Sequence, residues 1–98
     1  MAHRLAPRAA ADLDEIWYYL ARESGSIEIA DRTIDSITHR LLILADFPYL
    51  GRAREEFGKG YRSIAVGEYV IVYCVEGDDV LALRIAHGRR DLDRLFAP

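Results

Sequence analysis

The sequence predicts an α+β fold, in which an N-terminal antiparallel helix hairpin packs on a three- to four-stranded antiparallel sheet. Three observations carry this. Apolar residues recur at helical spacing from Leu13 to Leu44. From Tyr61 to His87 the period drops to two, in stretches rich in β-branched and aromatic residues. Glycine-led turn signals punctuate the second half.

The elements follow in order. "HRLA" (3–6) is short enough for an edge strand. Pro7 suits the first turn of a helix, whose apolar stripe is Leu13, Ile16, Trp17 and Leu20 with Ala9 and Ala10 on adjoining turns. Asp12, Asp14 and Glu15 fall early in it, where the helix dipole favours acids. Gly25 ends this helix and Ser26 caps the next. Ile27, Ala30, Ile34, Ile37, Leu41 and Leu44 form the second stripe, stopped by Pro48. After a polar connection from Gly51 to Gly60, "YRSIAV", "YVIVYCV" and "VLALRIAH" read as a three-stranded meander. Gly67-Glu68 carries a type II′ hairpin signature, and Glu76 to Asp79 makes the second turn.

Strand alternation divides 80–87 into Leu81, Leu83 and Ile85 against Val80, Ala82, Arg84 and Ala86. The larger set is expected to meet the helices. That leaves Arg84 on the open face, together with Tyr69 and Tyr73.

A chain of 98 residues makes one domain, spanning 1–98. With 51% hydrophobic and 30% charged residues it falls in the soluble globular class, not the disordered one. The net charge of −3 argues against non-specific nucleic-acid binding as the main activity. Cys74 is the single cysteine, so neither an internal disulfide nor a multi-cysteine zinc site is available, and its apolar setting reads as core. No metal and no cofactor is expected. The N-terminus lacks the apolar core of a signal peptide and no run is long enough to span a membrane, so a cytoplasmic protein is expected.

The stretches "ADLDEIWYYLARESG", "RTIDSITHRLLILADFPYLGR", "GYRSIAVGEYVIVY" and "LRIAHGRRDL" together resemble the RelE/ParE superfamily of type II toxins, on the ParE-like side. The likeness covers nearly the whole chain and rests on several motifs in the right order. It implies a bacterial toxin held inactive by the C-terminal segment of a cognate antitoxin. ParE-like members act on DNA gyrase without cutting RNA, whereas RelE-like members cut mRNA in the ribosome.

A metal-free ribonuclease needs a base, cationic groups for the phosphorane and an acid for the leaving oxygen. The likeness offers Arg62, Arg84, His87 and Arg90 for those roles, with Lys59, Arg52 and Arg54 in the preceding loop. Phe96 stands where a RelE-like tyrosine would fall and cannot exchange a proton. The catalytic set is therefore incomplete, and a binding role is favoured. Its expected contacts with antitoxin or target are Tyr18, Tyr19, Arg62, Tyr69, Tyr73, Arg84, His87, Arg89 and Arg90. Bland readings stand beside these: His87 as a strand-end histidine, Arg89 and Arg90 in local pairs with Asp91, and Arg62 as a brace of the sheet edge. Trp17, Tyr18 and Tyr19 cannot all face inward on one helix, so at least one tyrosine is expected to be exposed.

Overall fold

Pro7 occupies the first turn of helix α1 (Pro7–Ser24), where its missing N–H costs nothing. Gly25, at φ 68°, turns the chain out of it in the left-handed conformation. The Ser26 hydroxyl then accepts from the Ile29 N–H at 3.3 Å and starts α2 (Ile27–Asp46), which stops before Pro48. This computed structural model describes residues 2–96, apart from the side chains of Arg89 and Arg90.

The helix hairpin lies on one face of a five-stranded sheet. Its strands are β1 (His3–Leu5), β2 (Arg52–Ala53), β3 (Arg62–Val66), β4 (Tyr69–Glu76) and β5 (Asp79–His87), in the order β1-β5-β4-β3-β2. The three long strands form the expected antiparallel meander. β1 pairs with β5 in parallel, and the two-residue β2 extends the other edge by pairing with β3. A further helix, α3 (Gly88–Phe96), folds back from the end of β5.

Both sheet faces are covered. On the hairpin side Ala9, Ile37, Leu41 and Leu44 pack with Tyr69, Ile71, Tyr73, Val80, Ala82 and Ile85, with Leu13 and Ile16 at the margin. Full burial of side chains such as Ile37 or Leu41 contributes about 2–3 kcal/mol each. On the other side Leu92, Leu95 and Phe96 of α3 cover Val72, Ala86, Val70 and Leu83, closed laterally by Phe57 and Tyr61.

The facing expected for the strands is reversed in β4 and in β5 as far as Ala82, and one irregularity then changes it. Tyr73 pairs with Ala82 but Val72 pairs with Arg84, so Leu83 is an extra residue in β5. Before this bulge Val80 and Ala82 face the hairpin; after it Ile85 does, while Leu83 and Ala86 pack toward α3. Tyr69 and Tyr73 sit in the hairpin-side core rather than on an open face. Because both alternating sets are apolar, hydrophobicity alone could not choose between them.

Candidate functional site

Pairing with β1 ends at Leu5↔Ala82, which leaves the last part of β5 without a neighbouring strand on that edge. Asp12 of α1 fills that vacancy. Its Oδ2 accepts from the Ile85 N–H at 2.8 Å and from Arg84 Nε at 2.9 Å, and its Oδ1 accepts from Arg84 Nη2 at 3.0 Å. Asp12 is only 8% exposed. The hydrogen bond to Asp12 holds the Arg84 guanidinium even more firmly protonated than usual, against the opposing effect of burial. Arg84, expected among small residues on an open face, is thus a bidentate partner of a helix carboxylate.

Beside this clamp lies a cleft of about 320 Å³ between α1, the end of β5 and α3. Glu15, Tyr19, His87 and Arg94 line it, with Tyr69 at its base. The Tyr69 phenol is pushed above its ordinary value by burial and then by Glu68. Its ring lies 5.1 Å from the exposed His87 imidazole, whose Nε2 stands 3.6 Å from a Glu68 carboxylate oxygen. Tyr19 faces this cleft, whereas Tyr18 is 70% exposed and meets Trp17 edge-on at 5.8 Å. Trp17 sits half-buried at the hairpin's rim rather than in the core, donating from Nε1 to Asp31 at 2.7 Å.

The β2–β3 side of the sheet is built around a turn. Tyr73 is fully buried, and its hydroxyl accepts from the Gly51 N–H at 2.9 Å and donates to the Pro48 carbonyl at 2.8 Å. Arg62 donates from Nε to the Gly51 carbonyl at 2.8 Å and from Nη2 to the Tyr49 carbonyl at 3.3 Å, and lies 5.3 Å over the Tyr49 ring. The brace expected of Arg62 therefore acts on this turn. A Cβ at Gly51 would sit 2.6 Å from the Tyr73 hydroxyl oxygen and 2.7 Å from the Ser63 carbonyl, so only glycine lets the turn lie this close. The same turn points Phe47, Tyr49 and Leu50 to solvent, at 65%, 67% and 55% exposure.

Behind it, Arg54 is buried with Nη1 on the Ser63 hydroxyl at 3.2 Å and its guanidinium 4.3 Å over the Phe57 ring. Phe57 stacks on Phe96 at 4.7 Å, and Tyr61 meets Phe96 edge-on. Phe96 is thus an anchor of α3. Cys74 is half-buried, and burial pushes its thiol up, the opposite of what a nucleophile requires.

The residues offered for ribonuclease chemistry do not converge. The pairing Val66↔Tyr69↔His87 puts His87 four residues along the sheet from Arg62 and two strands away. That is about 13 Å along and about 10 Å across. Arg84 stands by His87 but is engaged by Asp12, and Arg62 by backbone carbonyls. Arg89 and Arg90, expected in the contact surface, have side chains outside the described residues. Among the described residues no group of three or more His, Cys, Asp or Glu could hold a metal ion, and no helix is long and apolar enough to cross a membrane.

Asp12 and the turn from Phe47 to Leu50 were not singled out by sequence. Asp12 lies 72 residues from Arg84, beyond any local pattern. Phe47, Tyr49 and Leu50 around Pro48 did carry a signal: large apolar residues where a turn should be polar.

Comparison with known proteins places these features in a lineage. The family model described as the ParE toxin of the type II toxin-antitoxin system, parDE, matches residues 4–92. The chain is 33% identical over 91 residues to Toxin ParE1 of Mycobacterium tuberculosis, covering 92% of each. It is 35% identical over 85 residues to Toxin ParE1 of Caulobacter vibrioides, covering 87% of this chain and 86% of that one. Toxin RelE3 of Caulobacter vibrioides is 37% identical over 85 residues, covering 86% and 90%. A solved structure titled "Chromosomal ParDE TA system from P. aeruginosa" shares the fold, with a TM-score of 0.78 at 24% identity over 91% of this chain and 97% of that one.

Proposed function

Since the chain belongs to the ParE toxin family of type II toxin-antitoxin systems, we propose that it arrests growth by binding DNA gyrase and is neutralised by a cognate antitoxin. The observation that carries the non-enzymatic reading is the commitment of its cations. Arg84 is neutralised by Asp12, and Arg62, two strands away, is bound to turn carbonyls. A phosphorane would find neither arginine free, and Phe96 offers no proton to the leaving oxygen. What remains accessible suits contact instead: the exposed tyrosines of α1, the apolar turn, and the cleft carrying His87 and Arg94.

For the antitoxin, the α1–α3 cleft and the exposed helix hairpin match a segment that docks as an amphipathic helix. Tyr18, Tyr19 and His87 are the contacts we assign to it, with Arg89 and Arg90 following from the sequence. Tyr69 and Arg84 act from beneath, by shaping the cleft. The cytoplasm is the compartment in which such a toxin would meet its target.

Purified toxin added to gyrase tests the target: lost supercoiling with accumulation of cleaved DNA is expected. Unaltered supercoiling with no cleaved DNA removes gyrase from the proposal. The relative named RelE3 motivates a second reading, a ribosome-dependent mRNA endoribonuclease using Arg62, Arg84, His87 and Arg90. Codon-phased cuts in a translation reaction containing the toxin would establish that activity in place of the first.

A further inference from the structure

We infer that the outer edge of β3 takes an added strand, an extended stretch of the antitoxin segment, and that Arg40 receives a carboxylate from it. This rests on the reading that an antitoxin binds the toxin, and it adds a second contact to the α1–α3 cleft.

β2 covers only part of that edge. It pairs Ala53 with Arg62 and Arg52 with Ser63, and the preceding Gly51 turns its N–H away to the Tyr73 hydroxyl. Beyond Ser63 the edge is open. The tight turn at Gly67-Glu68 joins Val66 to Tyr69, so by antiparallel alternation Ile64 and Val66 bond inward to β4. Ser63 and Ala65 therefore aim their backbone groups outward. Those of Ser63 meet β2, whereas those of Ala65 meet nothing among the described residues. Ala65 is exposed, so its N–H and C=O form a vacant place on the sheet.

Beside this edge lies a cleft of about 500 Å³ between α2 and the β3–β4 turn, lined by Arg40 and Val66 among others. Arg40 is half-buried, yet among the described residues it has no hydrogen bond and no ion pair. Glu68 is the one carboxylate among the lining residues, and it stands 3.6 Å from His87 instead. The Thr33 and Ser36 hydroxyls donate to carbonyls of their own helix, at Ile29 and Arg32. A partly desolvated guanidinium with no partner is best met by a carboxylate. A strand laid on β3 brings one by geometry. The residue opposite Val66 points to the hairpin side, as Val66 does, and so into the cleft that Arg40 lines.

Three features select the occupant. Backbone pairing at Ala65 calls for an extended segment. Arg40 calls for an acid at one position of it. Tyr69 lines both this cleft and the α1–α3 cleft, so the two contacts are continuous. From β5 to a strand outside β3 is three strand spacings, about 14 Å, which about four extended residues span. One segment leaving the α1–α3 cleft therefore reaches the edge. A second copy of this chain fits poorly, because its own β2 occupies the same edge beside Arg62 and Ser63. Antiparallel pairing about Ala65 would leave room for Ile64 to Val66 alone, and would set Ile64 where the acid is needed.

The test uses the full-length toxin and its cognate antitoxin. Hydrogen exchange at the Ala65 amide should be fast in the toxin alone and slowed by about tenfold or more in the complex. Arg40→Glu should weaken the complex by about tenfold or more, and Arg40→Lys by less. Arg8→Glu makes the same charge change on an exposed residue of α1 and should keep affinity within about twofold. Ala65→Pro removes an N–H that the ladder to β4 does not use, and should weaken binding by about tenfold. A second probe needs no antitoxin. The peptide Thr-Val-Thr-Glu-Thr-Val-Thr should shift the Ala65 and Val66 amide resonances, and its glutamine twin should need about threefold more peptide.

A complex that forms with Ala65 unprotected and with Arg40→Glu bound as tightly as the wild type overturns the inference, while the antitoxin reading stands. Protection at Ala65 without any effect of Arg40→Glu overturns the carboxylate and keeps the strand. If no antitoxin binds the wild type, that reading fails, and the peptide alone judges the edge: unmoved resonances overturn it as well. A dimer of the isolated toxin that Ala65→Pro splits gives the edge to a second copy and overturns the occupant. Should Ala65→Pro not fold, the Arg40 variants decide by the same affinities.

Discussion

Arg84 and Arg62 stand two strands apart on one sheet, and each is held by the protein itself, but by different means. Arg84 meets a carboxylate that is nearly buried, so its charge is cancelled on the spot. Arg62 meets two neutral carbonyls and the face of a tyrosine, so it keeps its charge while giving up its donors. The first arrangement joins a helix to a strand across the chain's length; the second trains a turn. An arginine in a sequence can thus be a rivet or a splint, and only its partners tell which.

The largest effect that separates them is expected at Asp12. Asp12→Ala strands the Arg84 guanidinium and the Ile85 N–H together, and should cost about 3 kcal/mol in chemical denaturation. Arg84→Ala added to it should recover part of that loss. A strictly additive double variant would mean that the pair is not coupled. For the same reason Arg84→Glu should lower stability as well as any antitoxin affinity, since it sets two carboxylates against each other.

Arg62→Ala takes a donor from two neutral carbonyls and strands no charge. A loss of about 1 kcal/mol is expected, with no dependence on Asp12. A cost matching that of Asp12→Ala would erase the distinction drawn between the two arginines.

Alkaline titration gives a further contrast, because the Tyr69 phenol and the Cys74 thiol are both raised by burial above their ordinary values of 10.0 and 9.0. Groups held protonated by the fold stabilise it below those values. The unfolded chain releases their protons first, so melting temperature should decline as pH climbs past about 9 and then 10. Cys74→Ala should flatten the earlier part of that decline; an unchanged profile would count against a burial effect at the thiol. The smallest effect is expected at Arg4, whose contacts with Glu76 at 3.2 Å and Asp79 at 3.5 Å lie in solvent. Arg4→Ala should change stability by about 0–1 kcal/mol, and less in high salt. A larger loss would show that exposed pairs on this chain resemble the Asp12 clamp.

Most of the architecture was legible in the sequence. Pro7, Gly25 and Ser26 marked the hairpin's ends because each removes or replaces a specific backbone bond. Gly67 and Gly77 marked the strand reversals, and both adopt the positive φ that the turns need. β2 was not legible, since two residues carry no period. The site was harder. Tyr18 and Tyr19 came out exposed because three aromatics in a row on a helix leave no alternative. Tyr69 and Tyr73 went the other way because a phenol is welcome in a core when its oxygen is partnered or at the margin, and sequence does not show the partner.

The bulge at Leu83 has a wider consequence. It works as a frame shift within β5: everything after it is read on the opposite face from what parity would give. Deleting that single residue would make Ala82 and Arg84 consecutive opposite Tyr73 and Val72, an unbroken ladder in which Arg84 through His87 keep their faces. Ile85 would stay opposite Ile71 in the hairpin core, and Ala86 would stay opposite Val70. The extra residue is thus a spare: it sets Leu83 beside Arg84 and gives α3 one more apolar side chain to cover, while every pair beyond it is kept.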